Sequence, residues 1–132
     1  MHHNNEEFIG VDYGSVRVGL ARGSSAARLA EPLKSVASAN VLTEIDTVIK
    51  NNNASGVVVG LPRNLEGNDT DQTKLVRQWV KLAQEKIELP FYWQDEALTS
   101  AAAAQAKDID AAAAAHILQD FLDTPKDQRV RC

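Results

Sequence analysis

Three acidic residues, far apart in the chain, stand at positions where an α/β fold would gather them. Asp12 lies inside the apolar run 8–13, Glu96 follows the apolar run 90–94, and Asp110 opens the last helical pattern. An ionised carboxylate inside a strand is costly unless a cation or a set of hydrogen-bond donors stabilises it. We therefore predict that the three carboxylates converge on a metal ion.

The ligand chemistry of these residues indicates which ion and which reaction. Carboxylate oxygens are the ligands that Mg²⁺ and Mn²⁺ prefer in proteins. Two such ions, about 3.5–4 Å apart, can hold the attacking water and the leaving oxygen of a phosphodiester in line. Asp95, next to Glu96, is a further ligand candidate or a residue that orients the ligands.

Each carboxylate also has a plain structural interpretation. Asp110 is a candidate N-cap, because a helix N-terminus favours a carboxylate through its dipole and free N–H groups. Glu96, taken alone, reads as a surface loop residue. A purely structural role is hardest to assign to Asp12, because its neighbours Ile9 and Val11 belong to an apolar core pattern.

The elements that must position these residues alternate along the chain. The runs 8–13 and 16–21 predict a hairpin closed by a two-residue Gly-Ser turn, and the mixed segment 26–36 predicts an edge strand. Strands alternating with helices then call for a parallel sheet covered by helices, with ligands beyond the carboxyl ends of the strands. The predicted order is a helix from Val41 after Asn40, strand 56–60, loop 61–70, helix 71–87, strand 90–94, a helix from 99 or 100 to 107, and helix 110–122.

The loop after the central strand, residues 60–68, is rich in Gly and Asn. Such a loop can present backbone N–H groups to a phosphate, or it can be a plain strand-to-helix connection. The chain lacks the GxxxxGK[ST] and GxGxxG patterns, which argues against nucleotide binding of those types.

Composition bounds the remaining possibilities. At 132 residues and 44% apolar content, the chain is predicted to form one domain, 1–132, with loose polar tails at 1–6 and 124–132. A net charge of −4 does not itself indicate nucleic-acid binding, although a basic face can be local. A single cysteine excludes an internal disulfide, and no apolar run is long enough to cross a bilayer. With no signal-peptide pattern at the start, these features favour the cytoplasm over a membrane or secreted location.

Four blocks in order carry a family resemblance. Residues 9–21, 57–68, 95–100 and 110–118 are similar to the opening hairpin, central strand and loop, acidic block and last helix of the YqgF family, also called RuvX. The resemblance implies an RNase H-like α/β fold. Its central mixed sheet has antiparallel opening strands, then parallel strands, and helices flank it.

The resemblance also implies an activity. Asp12, Glu96 and Asp110 match the catalytic and metal-binding acidic positions of a nuclease that uses Mg²⁺ or Mn²⁺, two ions with substrate bound. The function implied is trimming of the 5′ end of the 16S ribosomal RNA precursor, by a monomer or a weak homodimer. The alternatives are a Holliday junction resolvase acting on branched DNA, and a non-catalytic member that binds RNA or protein.

Two departures from the family pattern bear on substrate binding. Ala97 stands where the family usually has Arg, and the segment 99–110 lacks the usual Lys/Arg-rich stretch. Because phosphate contacts supply much of nucleic-acid affinity, another basic face is expected. Its candidates, which a merely solvated surface would also explain, are Arg17, Arg22, Arg63, Lys74 and Arg77, and Asn64 is a further candidate for nucleic-acid binding.

Overall fold

The computed structural model of the chain describes residues 5–96 and 108–132. Ala97 and the helix predicted up to residue 107 lie outside these ranges. In the described part, no helix is both long and apolar enough to cross a lipid bilayer.

A mixed six-stranded sheet forms the centre of the molecule, in the order β3-β2-β1-β4-β5-β6. The opening strands pair antiparallel, β1 pairs parallel with β4 and β4 with β5, and β6 is antiparallel to β5. The predicted mixed sheet is thus confirmed, and the segment 26–36, predicted to be an edge strand, contributes most of the edge strand β3. The strands are β1 Glu7–Tyr13, β2 Arg17–Ser24, β3 Leu29–Ala37, β4 Gly56–Pro62, β5 Phe91–Glu96 and β6 Val130–Arg131.

Three helices cover the two faces of the sheet in the described ranges. They are α1 Val41–Asn52, α2 Asp71–Lys86 and α3 Ile109–Asp123. Alternate residues of a strand point to opposite faces, so Ile9 packs with α1 and α2 whereas Phe8 packs with α3. Asp12, an even-numbered residue of β1 like Phe8, therefore belongs to the α3 face.

Glycines in the sheet allow α3 to approach it closely. A Cβ added to Gly10 would lie 2.8 Å from the Ala114 carbonyl oxygen. One added to Gly19 would overlap the Asp110 carbonyl, and one added to Gly60 would overlap the end of Ile117. These three positions therefore fix how near the helix lies to the strands that carry the acidic residues.

The hairpin connection differs from the predicted two-residue turn. It spans residues 14–16, and hydrogen bonds from Ser38, which follows β3, hold it in place. The Ser38 N–H donates to the Val16 carbonyl at 2.9 Å, and its hydroxyl donates to the Ser15 carbonyl at 2.7 Å. A contact with a residue so distant in sequence is not visible in the local pattern.

The C-terminal segment, predicted to be a loose tail from residue 124, is docked in the structure. Val130 and Arg131 pair with β5, and the Arg129 guanidinium lies 4.3 Å from the centre of the Phe121 ring. The Lys126 ammonium lies 3.3 Å from a carboxylate oxygen of Glu6. The segment thus covers the far edge of the sheet and reaches back to the start of β1.

Candidate active site

Asp12 lies near the carboxyl end of β1, directly opposite Gly19 of β2. Burial raises its pKa to about 6, and the nearby charge of Asp110 adds to the shift. The raised pKa shows that the carboxylate is poorly solvated and has a second negative charge beside it.

Asp110 lies in the first turn of α3, but it is not the N-cap. The Asp108 carboxylate accepts a hydrogen bond from the Ala111 N–H at 3.1 Å and caps the helix. Asp110 is therefore free for another role, and its carboxylate is 27% exposed and 2.8 Å from Nε of Arg17. The Asp110 backbone packs on Gly19, which lies opposite Asp12, and the charge of Asp110 contributes to the raised pKa of Asp12.

Glu96 is the last residue of β5, which runs further than the sequence predicted. Its side chain is only 21% exposed, so the interpretation as a surface loop residue is wrong. Burial raises its pKa to about 8, helped by a hydrogen bond to Asp120 and by the charges of Asp120, Asp12 and Asp95. Glu96 thus belongs to the same group of negative charges as Asp12.

Asp95 takes a different position from its neighbour. Successive strand residues alternate between faces, so Asp95 is directed away from the α3 face. Its carboxylate is 68% exposed and lies 3.0 Å from a guanidinium nitrogen of Arg63. The structure therefore pairs Asp95 with a cation rather than grouping it with Asp12.

Two residues that the sequence analysis did not single out lie beside Glu96. Nε2 of His116 is 3.9 Å from Oε1 of Glu96 and 3.7 Å from Oδ2 of Asp120. The signal that could have found them is their spacing of four residues within the predicted helix 110–122, which puts both on one face. Their proximity to Glu96 depends on where α3 crosses the sheet.

The candidate basic residues fall into two groups. Arg17 lies beside Asp110 at the start of β2. Arg22 lies toward the other end of that strand, where it pairs with Glu31 and Asn52, so it does not belong to the same surface. The remaining candidates, Arg63, Asn64, Lys74 and Arg77, lie in the β4–α2 connection and the first turns of α2.

Arg63, in the connection, and Arg77, in α2, are already paired with acidic side chains. Arg77 binds Asp69 through two nitrogens, at 2.9 and 3.3 Å, and its guanidinium lies 5.4 Å from the centre of the Trp93 ring. Arg63 lies against Asp95 and donates to the Gly67 carbonyl at 3.3 Å. Nε of Arg63 is buried and has no partner within the described residues.

The Gly/Asn-rich loop does not offer the free amides that a phosphate cradle would need. Oδ1 of Asn64 accepts hydrogen bonds from the Glu66 and Asn68 N–H groups, at 3.1 and 2.8 Å. The Gly67 N–H donates to the Asn64 carbonyl at 2.9 Å. Asn64 therefore organises its own loop, and the interpretation of the loop as a connection fits better.

The arrangement as a whole gathers negative charge at one rim of the sheet. The charge of Asp12 contributes to the raised pKa of Glu96, and the charge of Asp110 contributes to the raised pKa of Asp12. Arg17 offsets only Asp110 among the three by a direct ion pair. Oxygen donors that repel one another in a partly dry site suit a hard divalent cation.

Known proteins resemble this chain over most of its length. Residues 6–124 match the model of a protein family described as RuvX, Holliday junction resolvase. A protein of Rickettsia felis named "Putative pre-16S rRNA nuclease" is 35% identical, with 92% of this chain and 89% of that protein covered. A protein of the same name from Rickettsia africae is 34% identical over the same shares.

Solved structures of RuvC from Thermus thermophilus resemble this chain in fold. The structure titled "T. thermophilus RuvC in complex with Holliday junction substrate" superimposes with a TM-score of 0.66 and 13% identity, covering 96% of this chain and 99% of that one. A second RuvC structure of T. thermophilus gives 0.59 over the same shares. The predicted RNase H-like fold is thereby confirmed.

Proposed function

The chain belongs to the RuvX family, and on that premise we propose that it is a metal-dependent nuclease that processes the 5′ end of the 16S ribosomal RNA precursor. The names of its Rickettsia relatives support this substrate. The observation that carries the proposal is the electrostatic coupling of Asp12 to both Asp110 and Glu96 at one rim of the sheet. The expected location is the cytoplasm, and the expected form is a monomer or a weak homodimer.

Asp12, Glu96 and Asp110 would hold Mg²⁺ or Mn²⁺. The fit rests on the donor set, which is made of carboxylate oxygens, and on the raised pKa values of Asp12 and Glu96, which mark uncompensated negative charge. When bound, two such ions would supply an activated water and stabilise the charge on the leaving oxygen. Asp95 lies outside this set because it pairs with Arg63.

The protonation of the ligands couples binding to pH. With a pKa of about 8, Glu96 carries a proton at neutral pH in the metal-free protein, and it must release that proton to become a ligand. Asp12, with a pKa of about 6, is mostly ionised at that pH. We therefore expect tighter metal binding and faster cleavage as the pH rises from about 6 to about 8.

Arg17 would contact the phosphate of a substrate bound at the carboxylates. Its guanidinium is 67% exposed and bonds Asp110 through Nε at 2.8 Å. A guanidinium can bind two acceptors at once through its several N–H donors. Arg17 would thus keep Asp110 oriented and offer its remaining donors to the substrate backbone.

The basic residues of the β4–α2 connection would hold the flanking nucleotides. Arg63 and Arg77 are each paired with a carboxylate, so a phosphate must compete with Asp95 or Asp69 for them. Lys74 lies on the first turns of the same helix. The stack of Arg77 on Trp93 provides a flat surface next to these charges, which suits a single-stranded substrate.

A second candidate function is cleavage of branched DNA. It is favoured by the description of the matching family as Holliday junction resolvases and by the fold of a RuvC that was solved with a junction substrate. Resolving a four-way junction requires two symmetric cuts in the DNA, so a resolvase is expected to be a dimer. A particle that stays monomeric in sedimentation with junction DNA would count against this alternative.

The decisive assay compares both substrates. Purified protein is incubated with a model 16S precursor RNA and with a four-way DNA junction, with and without Mn²⁺, alongside the variants Asp12→Asn and Asp95→Asn. We expect metal-dependent RNA cleavage by the wild type, background cleavage by Asp12→Asn, and only a small loss in Asp95→Asn.

Each other result has a defined meaning. Undiminished cleavage by Asp12→Asn, with the fold verified by circular dichroism, would exclude the assignment of the site. If the wild type cuts neither substrate in Mn²⁺ yet binds the RNA, the chain is a non-catalytic binding member of its family.

A further inference from the structure

We propose that Glu96, His116 and Asp120 form a second divalent-cation site, which takes a borderline ion such as Zn²⁺ and withdraws Glu96 from the hydrolytic centre. The binding site itself stands on its own geometry. Its inhibitory effect rests on the proposed nuclease function.

The three side chains already lie close to the spacing that a metal ion requires. One ligand atom from each residue lies within 4.8 Å of the other two. His116 is 3.9 Å from Glu96 and 3.7 Å from Asp120. Ligands on a tetrahedral Zn²⁺, at about 2.0–2.1 Å from the ion, are roughly 3.3 Å apart, so the two distances to His116 exceed that spacing by about half an ångström.

The donor set distinguishes this site from the all-carboxylate group around Asp12. An imidazole nitrogen is a better ligand for Zn²⁺, Co²⁺ or Ni²⁺ than for Mg²⁺, which favours oxygen. His116 and Asp120 are 48% and 39% exposed, so water can fill the fourth position of the coordination sphere. The two centres should therefore select different ions.

The scaffold that holds the three ligands is well packed. His116 and Asp120 are one helical turn apart on α3, a spacing that lets two side chains of one helix bind the same ion. Ile117 and Leu118, between them, are buried against the sheet. The end of Ile117 fills the space over Gly60, so α3 cannot slide along the sheet without losing this contact.

The site shares one residue with the hydrolytic centre. Oε1 of Glu96 lies 3.9 Å from Nε2 of His116, so its carboxylate is directed toward the helix residues. An ion held by His116 and Asp120 would fix Glu96 in that direction. Zn²⁺ would then lower the occupancy of the carboxylate site, and excess Mg²⁺ would restore it only in part.

A simpler interpretation is an ion pair between a protonated His116 and its two acidic neighbours. The two interpretations differ in what they predict for Zn²⁺. An ion pair gives no reason for Zn²⁺ affinity to depend on His116 and Asp120 together, whereas a chelate loses affinity when either ligand is removed.

Metal binding is measured first, without nucleic acid. The chain contains three histidines, so His2→Ala and His3→Ala are introduced together as the background for all variants. Zn²⁺ is titrated by calorimetry and Co²⁺ by its visible absorption. We expect one ion per chain, with affinity lowered about tenfold or more by His116→Gln and by Asp120→Asn.

Asp12→Asn in the same background is the matched control, because Asp12 is not one of the three proposed Zn²⁺ ligands. It should keep Zn²⁺ affinity within about threefold, the usual scatter of such contributions. Zn²⁺ affinity that is unchanged in both His116→Gln and Asp120→Asn, with folding verified, would refute the site. A loss in Asp12→Asn as large as in His116→Gln would also refute it, since the ion would then occupy the carboxylate centre.

Inhibition is measured second, as the ratio of Mg²⁺-dependent cleavage with and without Zn²⁺ for each variant. We expect Zn²⁺ to inhibit the background protein and to inhibit His116→Gln at least about tenfold less effectively. Equal inhibition of both would overturn the regulatory part of the proposal. A protein that binds Zn²⁺ through His116 but never cleaves RNA would instead contradict the nuclease function and leave the cation site supported.

Discussion

At the scale of single residues, the raised pKa values of Asp12 and Glu96 make the metal-free protein less stable at high pH. Glu96 has an ordinary pKa of 4.5 and a folded-state pKa of about 8. Between these values the folded protein binds more protons than the unfolded chain, so its stability falls as the pH rises. Asp12 acts in the same direction between 3.8 and about 6.

We therefore expect the free energy of unfolding of the metal-free protein to decrease from about pH 5 to about pH 8. Glu96→Gln should flatten this decrease above pH 6 and be more stable than the wild type at pH 8. Urea unfolding at several pH values, with Mn²⁺ added in a parallel series, measures both effects. The ion should restore stability in the wild type because it replaces the proton.

Glu66→Gln, in an exposed loop, is the matched control for Glu96→Gln. An equal flattening of the pH dependence in Glu66→Gln would argue against the role of Glu96.

At the scale of elements, the N-terminus of α3 carries two carboxylates with different contacts. Asp108 caps the helix by accepting from the Ala111 N–H, whereas Asp110 contacts Arg17. Asp108→Ala should lower stability by about 0.5–2 kcal/mol and largely keep cleavage at saturating Mn²⁺. Asp110→Asn should keep stability and lose cleavage. Thermal unfolding and the RNA assay together check the pair, and the reverse pattern would exchange the two roles.

The close approach of α3 to the sheet is a second element-scale feature. Gly19→Ala would drive its methyl group into the Asp110 backbone, which cannot move aside. We expect a loss of about 1–3 kcal/mol together with a loss of cleavage.

Gly60→Ala meets only the end of the Ile117 side chain, so its cost should be smaller. Adding Ile117→Val removes the methyl group in conflict and should recover part of the stability. Urea unfolding of these variants tests the contacts, and a cost at Gly60 equal to that at Gly19 would contradict the distinction between backbone and side chain.

At the scale of the whole molecule, the C-terminal segment packs against elements from the start and the end of the fold. Arg129 lies over the Phe121 and Phe8 rings, which joins the end of the chain to α3 and β1. Arg129→Ala should lower the free energy of unfolding by about 1 kcal/mol, with Arg129→Lys intermediate. Lys50→Ala, which removes only an exposed ion pair to Asp46, should change it by less than about 0.5 kcal/mol. Equal effects in thermal unfolding would show that Arg129 acts merely as a surface charge.

Local sequence patterns were sufficient for the elements whose causes are local. The continuous Val57–Val59 run predicts a buried strand, and the spacing of apolar residues predicts α1, α2 and α3, because burial on one face follows directly from periodicity. Asp12 stood out as well, since a carboxylate in such a strand needs a reason. The mixed sheet, with antiparallel opening strands followed by parallel strands, was predicted from the family resemblance, whereas the order of the strands was not.

Only the tertiary structure decided which acidic residues lie close together and which other side chains they contact. The identity of the α3 cap, Asp108 rather than Asp110, depends on backbone geometry that one residue of register changes. The pairing of Asp95 with Arg63, and the group formed by Glu96, His116 and Asp120, depend on contacts between segments distant in sequence. Periodicity assigns each residue to a face of its own element, but the distances between elements are set by packing, here by the glycines under α3.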